Sequence, residues 1–299
     1  MKKLPSFFVV GAQKAGTTTL HDWLALQPGV SLPKIKETHF FSEEEKFVKG
    51  LQWYSQWYKP IPMDSIVGEI DPEYMFFPEA LNRIQRTIKG TVRFLFLLRN
   101  PLDRAHSQYQ MSKRRGYEDL TFPEALAGEN ERLKAPENRF ALDHHSYLAR
   151  GRYCEQIRRF KEIFPDSPLL FIKFDDLFLS DEKLKIYQEI CEFIGVPASA
   201  VVLSEPDKKS NTSSTPRSRF IRDLVYRKYP IKSMIGKLIP SEKVKLYLAQ
   251  KLDSLNQKPA QRTRTEWKEK VQASFKEECN REVRELESLT GLHLDDWLN

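Results

Sequence analysis

Cysteine is scarce in this chain, and its apolar residues never form a long run. The 299 residues contain three cysteines, Cys154, Cys191 and Cys279, which lie far apart in the sequence. Their odd number and wide spacing fit neither a disulfide framework nor a cysteine-based metal site. We therefore expect free thiols in a reducing compartment and no bound metal ion.

Long hydrophobic segments are absent as well. No stretch approaches the roughly 20 apolar residues that a transmembrane helix needs. The apolar run Phe7–Val10 is too short for the hydrophobic part of a signal peptide. These two absences predict a cytoplasmic protein without a membrane span.

The residues that are present predict a folded protein that attracts anions. Hydrophobic residues make up 40% of the chain and aromatic residues 12%, as in globular proteins. A net charge of +7 favours an anionic partner such as a nucleotide or an acidic glycan. Glutamate and arginine alternate near the C-terminus, which is typical of a salt-bridged surface, so we expect no nucleic-acid partner. The sequence leaves the oligomeric state open.

Short apolar runs separated by helical patterns predict an α/β fold. Four runs have the length and composition of buried strands: Phe7–Val10, Ile66–Ile70, Val92–Leu98 and Leu169–Phe174. Helical patterns lie at about residues 17–26, 49–58, 101–115, 153–163, 181–194, 241–255 and 264–289. This alternation predicts a P-loop-like three-layer domain with a mostly parallel central sheet flanked by helices. We expect one domain over residues 1–299, a loop at 204–216, and a helical part from about 217 to 299 packed on the sheet.

The first predicted strand leads into a loop that is suited to an anion. Gly11 and Gly16 bracket the loop, Lys14 lies inside it, and Thr17 and Thr18 begin the next helix. Backbone N–H groups at such a helix N-terminus bind phosphate-like groups. A nucleoside-triphosphate loop has a lysine directly after the second glycine, where this chain has Thr17. The displaced lysine argues against an ordinary ATPase or GTPase.

A second cationic element follows the third predicted strand. Arg99 lies at the carboxyl end of that strand, and Ser107 lies on the helix that begins at Pro101. Asn100 has the residue type of a helix cap, and proline is favoured at the first helical position. An arginine fork with a serine hydroxyl suits a terminal phosphate group.

These two motifs resemble those of the sulfotransferases. Residues 13–18 (Gln-Lys-Ala-Gly-Thr-Thr) are similar to the family's 5′-phosphosulfate loop, and Arg99 with Ser107 to its 3′-phosphate motif. Residues 36–41 (Lys-Glu-Thr-His-Phe-Phe) resemble the acceptor segment of the carbohydrate branch, which includes the heparan sulfate enzymes. Residues 68–74, 151–153 and 294–297 also fit that branch.

The resemblance implies transfer of a sulfuryl group from 3′-phosphoadenosine 5′-phosphosulfate (PAPS) to a hydroxyl or amine of an acceptor. We expect this acceptor to be an anionic or glycosidic molecule, namely a carbohydrate or glycoconjugate. It implies no metal requirement, because Lys14 can meet the 5′ end of the nucleotide directly. The donor-binding residues that it implies are Gln13, Lys14, Ala15, Gly16, Thr17, Thr18, Arg99, Ser107 and, as the nearest basic substitute for a late family motif, Arg217.

Two residues compete for the role of general base. Glu37 matches the catalytic glutamate of the carbohydrate branch, and His39 matches the histidine that serves in the small-molecule branch. We favour Glu37 and keep His39 as the rival, with Lys14 on the bridging oxygen of the leaving group. The chain departs from the family patterns at two positions. Ile70 stands where the carbohydrate branch often has a lysine, and Thr19 stands where the small-molecule branch has a tryptophan that stacks on adenine. Tyr153 could stack on adenine instead.

Two other functions stay open at this stage. A nucleoside or nucleotide kinase with an altered phosphate loop would use ATP and Mg²⁺. A non-catalytic protein could hold a nucleotide or a glycan without turnover.

Overall fold

Aromatic and branched apolar residues form a five-stranded parallel sheet. The computed structural model describes residues 4–59, 62, 64–135, 137–179, 183–197, 202, 214–216, 252, 257–259 and 266–298. The strands of the sheet are β1 (Phe7–Gly11), β2 (Val30–Ser31), β3 (Ile66–Ile70), β4 (Arg93–Leu98) and β5 (Leu169–Lys173). They lie in the order β2-β3-β1-β4-β5, and each neighbouring pair is parallel.

The central position of β1 explains its composition. All five of its residues are buried, because β3 and β4 flank it and helices cover the sheet. The four predicted strands match the observed ones to within a residue or two at their ends. The prediction of an α/β fold with a mostly parallel central sheet is confirmed, whereas β2 was missed because two residues carry no readable pattern.

Helices and short helical turns connect the strands. In chain order the helices are α1 (Thr17–Leu24), α2 (Glu44–Phe47), α3 (Gly50–Ser55), α4 (Glu73–Phe76), α5 (Pro78–Thr87), α6 (Pro101–Arg115), α7 (Phe122–Ala127), α8 (Glu129–Arg132), α9 (Arg139–His144), α10 (Tyr153–Ile163), α11 (Phe174–Leu179), α12 (Lys183–Ile194), α13 (Glu266–Glu269) and α14 (Ala273–Thr290). Two 3₁₀ turns cover Ala149–Gly151 and Asp295–Trp297, and β6 (Ser214–Pro216) pairs antiparallel with β7 (Gln257–Pro259).

The predicted helices agree best where a cap or a breaker marks their ends. Asn100 caps α6, because its Oδ1 accepts the N–H groups of Leu102 and Asp103 at 3.0 Å each. The predicted helix 264–289 corresponds to two helices, α13 and α14. The predicted loop 204–216 is wrong at its end, where β6 pairs with β7. Residues 204–213 and, apart from Leu252, the predicted helix 241–255 lie outside the described residues.

The chain divides into two compact units. One comprises Met1–Arg104, Ala149–Ser210 and Lys276–Asn299, and the other Ala105–Leu148 and Asn211–Phe275. The first unit contains the five-stranded sheet and its aromatic core, in which Trp23 stacks on Tyr187 at 3.9 Å. In the second unit His106 stacks on Trp267, also at 3.9 Å. A single domain over residues 1–299 stays a prediction.

None of the helices in the described ranges is both long enough and apolar enough to cross a bilayer.

Candidate functional site

The loop between β1 and α1 has the backbone geometry of an anion cradle. Gly16 is the N-cap of α1 and has φ of 89°, and Lys14 has φ of 71°. A left-handed φ is easily reached by glycine and is strained for a side chain, so Gly16 permits this turn. The N–H groups of the first helical turn lack intrahelical acceptors and carry the positive end of the helix dipole. The loop therefore presents N–H donors to a negative group.

Arg99 reaches this loop from the neighbouring strand. Since β4 lies beside β1, the residue after β4 emerges at the same edge of the sheet. The Arg99 guanidinium donates to the Lys14 carbonyl at 3.2 Å and lies over the Phe174 ring, 4.7 Å from its centroid. The structure thus brings together two of the predicted donor-binding elements, the loop and Arg99.

Tyr153 supports Arg99 from inside the protein. Its hydroxyl donates to the Arg99 carbonyl at 2.9 Å, and its side chain is completely buried. A buried ring has no face open to a nucleotide base. Tyr153 is therefore not the adenine-stacking residue in this structure, and its role is to fix the end of β4.

A buried ion pair extends from the loop to the turn before α10. Gln13 Nε2 donates to Glu73 Oε1 at 3.0 Å. Glu73 also accepts two hydrogen bonds from Arg150, at 3.1 and 2.7 Å, while the Arg150 guanidinium lies 4.4 Å from the Phe76 ring centroid. Bidentate geometry and ring stacking compensate a buried guanidinium for its lost hydration. This pair holds the Gln13 side chain in place.

Glu37 and His39 lie on a segment with an unusual backbone. Both residues have left-handed φ values, 63° and 54°. Such values are uncommon outside glycine and persist where neighbouring contacts fix them. The Glu37 carboxylate forms an ion pair with Lys36. The side chains of Glu37 and His39 are 31% and 26% exposed, so both candidate bases have surface open to a substrate.

His39 is fixed by Asp71, which follows β3. Asp71 Oδ2 accepts the His39 backbone N–H at 2.7 Å and lies 3.2 Å from Nδ1 of the ring. Burial lowers the pKa of His39, but the Asp71 charge and hydrogen bonding outweigh it and raise that pKa above its usual range. Burial conversely raises the pKa of Asp71, and His39 outweighs it and lowers that pKa. The two groups therefore favour the charged pair.

Glu69, at the end of β3, holds the residue between the two candidate bases. Its carboxylate accepts hydrogen bonds from the hydroxyls of Thr38, Tyr54 at 2.5 Å and Tyr74 at 3.1 Å. Burial raises the pKa of Glu69 to about 7, with a further rise from the Asp71 charge, and the three hydroxyls oppose the rise. Glu69 and Asp71 thus tether Thr38 and His39 to the end of one strand.

Lys36 brings a cation with a perturbed pKa to the same region. Burial lowers the pKa of Lys36 to about 8, and the charges of Asp71, Asp22 and Glu73 partly oppose that change. An amine with this pKa loses its proton near the upper end of the physiological range. The Lys36–Glu37 pair therefore weakens as the pH rises through about 8.

The remaining predicted site residues are placed by the fold as follows. Ala15 and Thr17 are buried and Thr18 is half-buried, at the junction of the loop and α1. Ser107 is half-buried on α6, within the second compact unit. Arg217 lies outside the described residues. The roles of Ser107 and Arg217 in donor binding stay predictions.

One cluster could offer metal ligands. The ligand atoms of Cys154, Glu282 and Glu285 lie within 4.8 Å of one another. Burial raises the pKa of the Cys154 thiol well above its usual range, and its backbone N–H already occupies Glu282 Oε1 at 2.6 Å. A metal-binding cysteine must be a thiolate, so these groups fit a packed thiol better than a ligand set.

Sequence reasoning missed the residues that hold the site together. The sequence patterns assign no role of their own to Asp71, Glu73 or Arg150. A sequence signal did exist, because three acidic residues at alternate positions (69, 71 and 73) at the end of an apolar strand are costly unless each has a partner. Three of the partners, Thr38, His39 and Arg150, lie 31, 32 and 77 residues away along the chain.

Comparison with known proteins agrees with this geometry. The family model described as "Sulfotransferase domain" matches residues 4–221. The human bifunctional heparan sulfate N-deacetylase/N-sulfotransferase 2 is 28% identical over 208 residues, which is 65% of this chain and 22% of that protein. The mouse heparan sulfate glucosamine 3-O-sulfotransferase 5 is 26% identical over 202 residues, 66% of this chain and 55% of that protein.

A solved structure has a similar fold. The sulfotransferase from Alicyclobacillus acidocaldarius superposes with a TM-score of 0.64 at 22% identity, covering 99% of this chain and 100% of that one. The family match, which covers more than half of the chain, argues against the kinase alternative. The loop, the Arg99 contact and the family match together confirm the resemblance, and the chain belongs to the sulfotransferase domain family of enzymes.

Proposed function

We propose that the protein transfers a sulfuryl group from PAPS to a hydroxyl or amine of a carbohydrate acceptor, with Glu37 as the general base. The observation that carries the proposal is the contact between Arg99 and the Lys14 carbonyl at the positive end of α1. This contact supports a donor site in which the loop with Lys14 and the helix N–H groups faces the 5′ end of the nucleotide and Arg99 lies beside that loop. The relatives named above sulfate heparan sulfate according to their names, which favours a carbohydrate acceptor.

The leaving group explains why this site needs cations. The acceptor oxygen or nitrogen attacks sulfur, the S–O bond to the 5′-phosphate breaks, and its electron pair stays on the phosphate oxygen. Preorganised donors that face this oxygen stabilise the charge as it develops. Lys14 and the backbone N–H groups at the start of α1, near Thr17 and Thr18, would face this phosphate oxygen. Arg99 would bind the 3′-phosphate, which distinguishes this donor from ATP.

The acceptor must lose a proton, and Glu37 suits that task better than His39. Asp71 raises the pKa of His39, so a larger fraction of the imidazole is already protonated at neutral pH and cannot accept a proton. The Glu37 carboxylate is partly exposed and is paired with Lys36, whose pKa is about 8. We therefore propose that Glu37 accepts the proton of the acceptor group and that His39 has a supporting role.

Ligand-dependent thermal unfolding tests the donor site. We expect adenosine 3′,5′-bisphosphate to raise the melting temperature by several degrees, because a ligand at about 100 times its Kd adds about 2.7 kcal/mol. ADP and ATP with Mg²⁺ are the controls and should have smaller effects. Stabilisation by ATP with Mg²⁺ alone would overturn the PAPS assignment.

Substitution of the two candidate bases tests the mechanism. We expect Glu37→Gln to lower kcat by about 10²–10⁴-fold while the bisphosphate Kd is unchanged, since general-base catalysis has that magnitude. His39→Gln is the matched variant two residues away. If His39→Gln shows the larger loss with a base-dependent pH profile, His39 is the base and the assignment of Glu37 is wrong.

A further inference from the structure

The carboxylate of Asp71 is buried and is committed to the acceptor segment. Asp71 is inaccessible to solvent, and its backbone N–H donates to the Val9 carbonyl of β1 at 3.0 Å. Oδ1 accepts the Glu73 N–H at 3.1 Å, while Oδ2 faces both the backbone N–H and Nδ1 of His39. A buried carboxylate is costly unless a cation and hydrogen bonds offset its lost hydration. The geometry supplies two backbone donors and one ring nitrogen.

We propose that Asp71 is a positioning residue that holds His39 as an imidazolium, so that its Nε2–H can donate to an oxygen of the transferring sulfuryl group. This inference rests on the proposed function, because it names what His39 does while Glu37 takes the acceptor proton. With Nδ1 turned toward Asp71, the ring's other nitrogen is the one left to meet a ligand. Nδ1 is buried, with Oδ2 of Asp71 3.2 Å away, and a quarter of the His39 side chain is exposed.

The charges around His39 favour the protonated ring. Asp71 lies after β3, Glu73 on α4 and Lys46 on α2. The two carboxylates raise the pKa of His39, while burial and the Lys46 charge lower it, and the net direction is upward. The backbone contributes as well, because the Asp71 hydrogen bond to the His39 N–H fixes a residue with a left-handed φ. Asp71 therefore sets both the place and the charge of the ring.

Glu69 provides a matched control on the same strand. It is also a buried carboxyl, two residues before Asp71, and it contacts the same segment through Thr38 instead of His39. Its partners are three hydroxyl groups and no cation. A carboxyl-to-amide change at residue 69 thus removes a buried titratable group near the segment without removing the partner of the imidazole.

The test is the titration of His39 by imidazole ¹H–¹⁵N NMR on the full chain without ligand. His39→Gln assigns the resonance, since that variant lacks it. In the wild type we expect a midpoint above the ordinary value of 6.5. Asp71→Asn should lower the midpoint by about one pH unit or more, because an adjacent opposite charge has an effect of that size, and Glu69→Gln should move it much less. A wild-type midpoint at or below 6.5 overturns the proposal even if Asp71→Asn does not fold.

Activity separates this inference from the proposed function. We expect Asp71→Asn to lower kcat about tenfold or more at neutral pH, as when one charged donor is removed from a reacting group, with the bisphosphate Kd unchanged. The loss should shrink toward acid pH, where the ring is protonated without help, and Asp71→Glu should restore part of it. A uniform loss at all pH values would overturn the role of Asp71. Failure of the bisphosphate to bind would instead overturn the PAPS assignment, while the His39 midpoint still decides the pairing.

Discussion

Replacing Glu69 with glutamine should change how the stability of the protein depends on pH. Glu69 is fully buried, and its pKa rises to about 7 from an ordinary value of 4.5, first because of burial and then because of the Asp71 charge. Between these two pH values the folded protein keeps the Glu69 proton and the unfolded chain has lost it. Unfolding therefore releases a proton, and the free energy of unfolding falls as the pH rises through this window.

The magnitude follows from the size of the pKa change. At about 1.4 kcal/mol per pH unit, a rise from 4.5 to about 7 corresponds to about 3 kcal/mol of stability that is present at pH 4.5 and lost by pH 8. Glutamine has no proton to release, so Glu69→Gln lacks this slope. The charged hydrogen bonds from Thr38, Tyr54 and Tyr74 form only with the ionised carboxylate, so they are already included in the pKa of about 7. A difference in stability between the amide and the protonated acid is independent of pH and shifts the whole curve without changing its slope.

Urea unfolding of both proteins at several pH values between 4.5 and 8 measures this effect. The quantity of interest is the stability of the wild type minus that of Glu69→Gln, because the titrations of His39 and the other groups occur in both proteins and largely cancel. We expect this difference to fall by about 3 kcal/mol across the window. A flat difference, or one that rises with pH, would show that Glu69 is ionised in the folded protein at pH 5 and would refute the reasoning from burial.

Three other outcomes are expected. Arg99→Ala should weaken bisphosphate binding by about 10- to 100-fold in calorimetry, since a charged hydrogen-bond partner contributes about 1.5–3 kcal/mol. Arg93→Ala, at the opposite end of β4, is the control. Equal affinities of the two variants for the bisphosphate would contradict the 3′-phosphate role of Arg99. Arg150→Met should lower the free energy of unfolding by about 3–5 kcal/mol, because it leaves the buried Glu73 carboxylate without its cation. Adding Glu73→Gln to this variant should recover part of the lost stability. If the effects of the two substitutions simply add, Arg150 and Glu73 do not stabilise the protein as an ion pair. The alkaline limb of the kcat profile should reflect loss of the Lys36 proton near pH 8 and should disappear in Lys36→Met, whereas a limb that persists must come from another group.

Local signals were enough to predict the donor side of the site. The glycines at 11 and 16 determine a loop between a strand and a helix, because their spacing and the apolar run before them are properties of consecutive residues. Arg99 follows an equally clear strand, and parallel strands place their carboxyl ends at one edge of a sheet. The sequence thus predicts on which edge Arg99 lies, whereas its contact with Lys14 also requires the strand order, which places β4 beside β1.

The acceptor side depended on contacts that no local pattern encodes. The sequence by itself determined that Glu37 and His39 lie two residues apart on a segment beside aromatic residues. Only the tertiary structure decided that Asp71 faces His39 and that Arg150 faces Glu73, because these pairs are 32 and 77 residues apart along the chain. A buried carboxylate requires a hydrogen-bond donor or a cation to offset its lost hydration. Which residue supplies it depends on how the chain packs. The contact that raises the pKa of His39, on which the proposed choice between donor and base depends, thus comes from the fold.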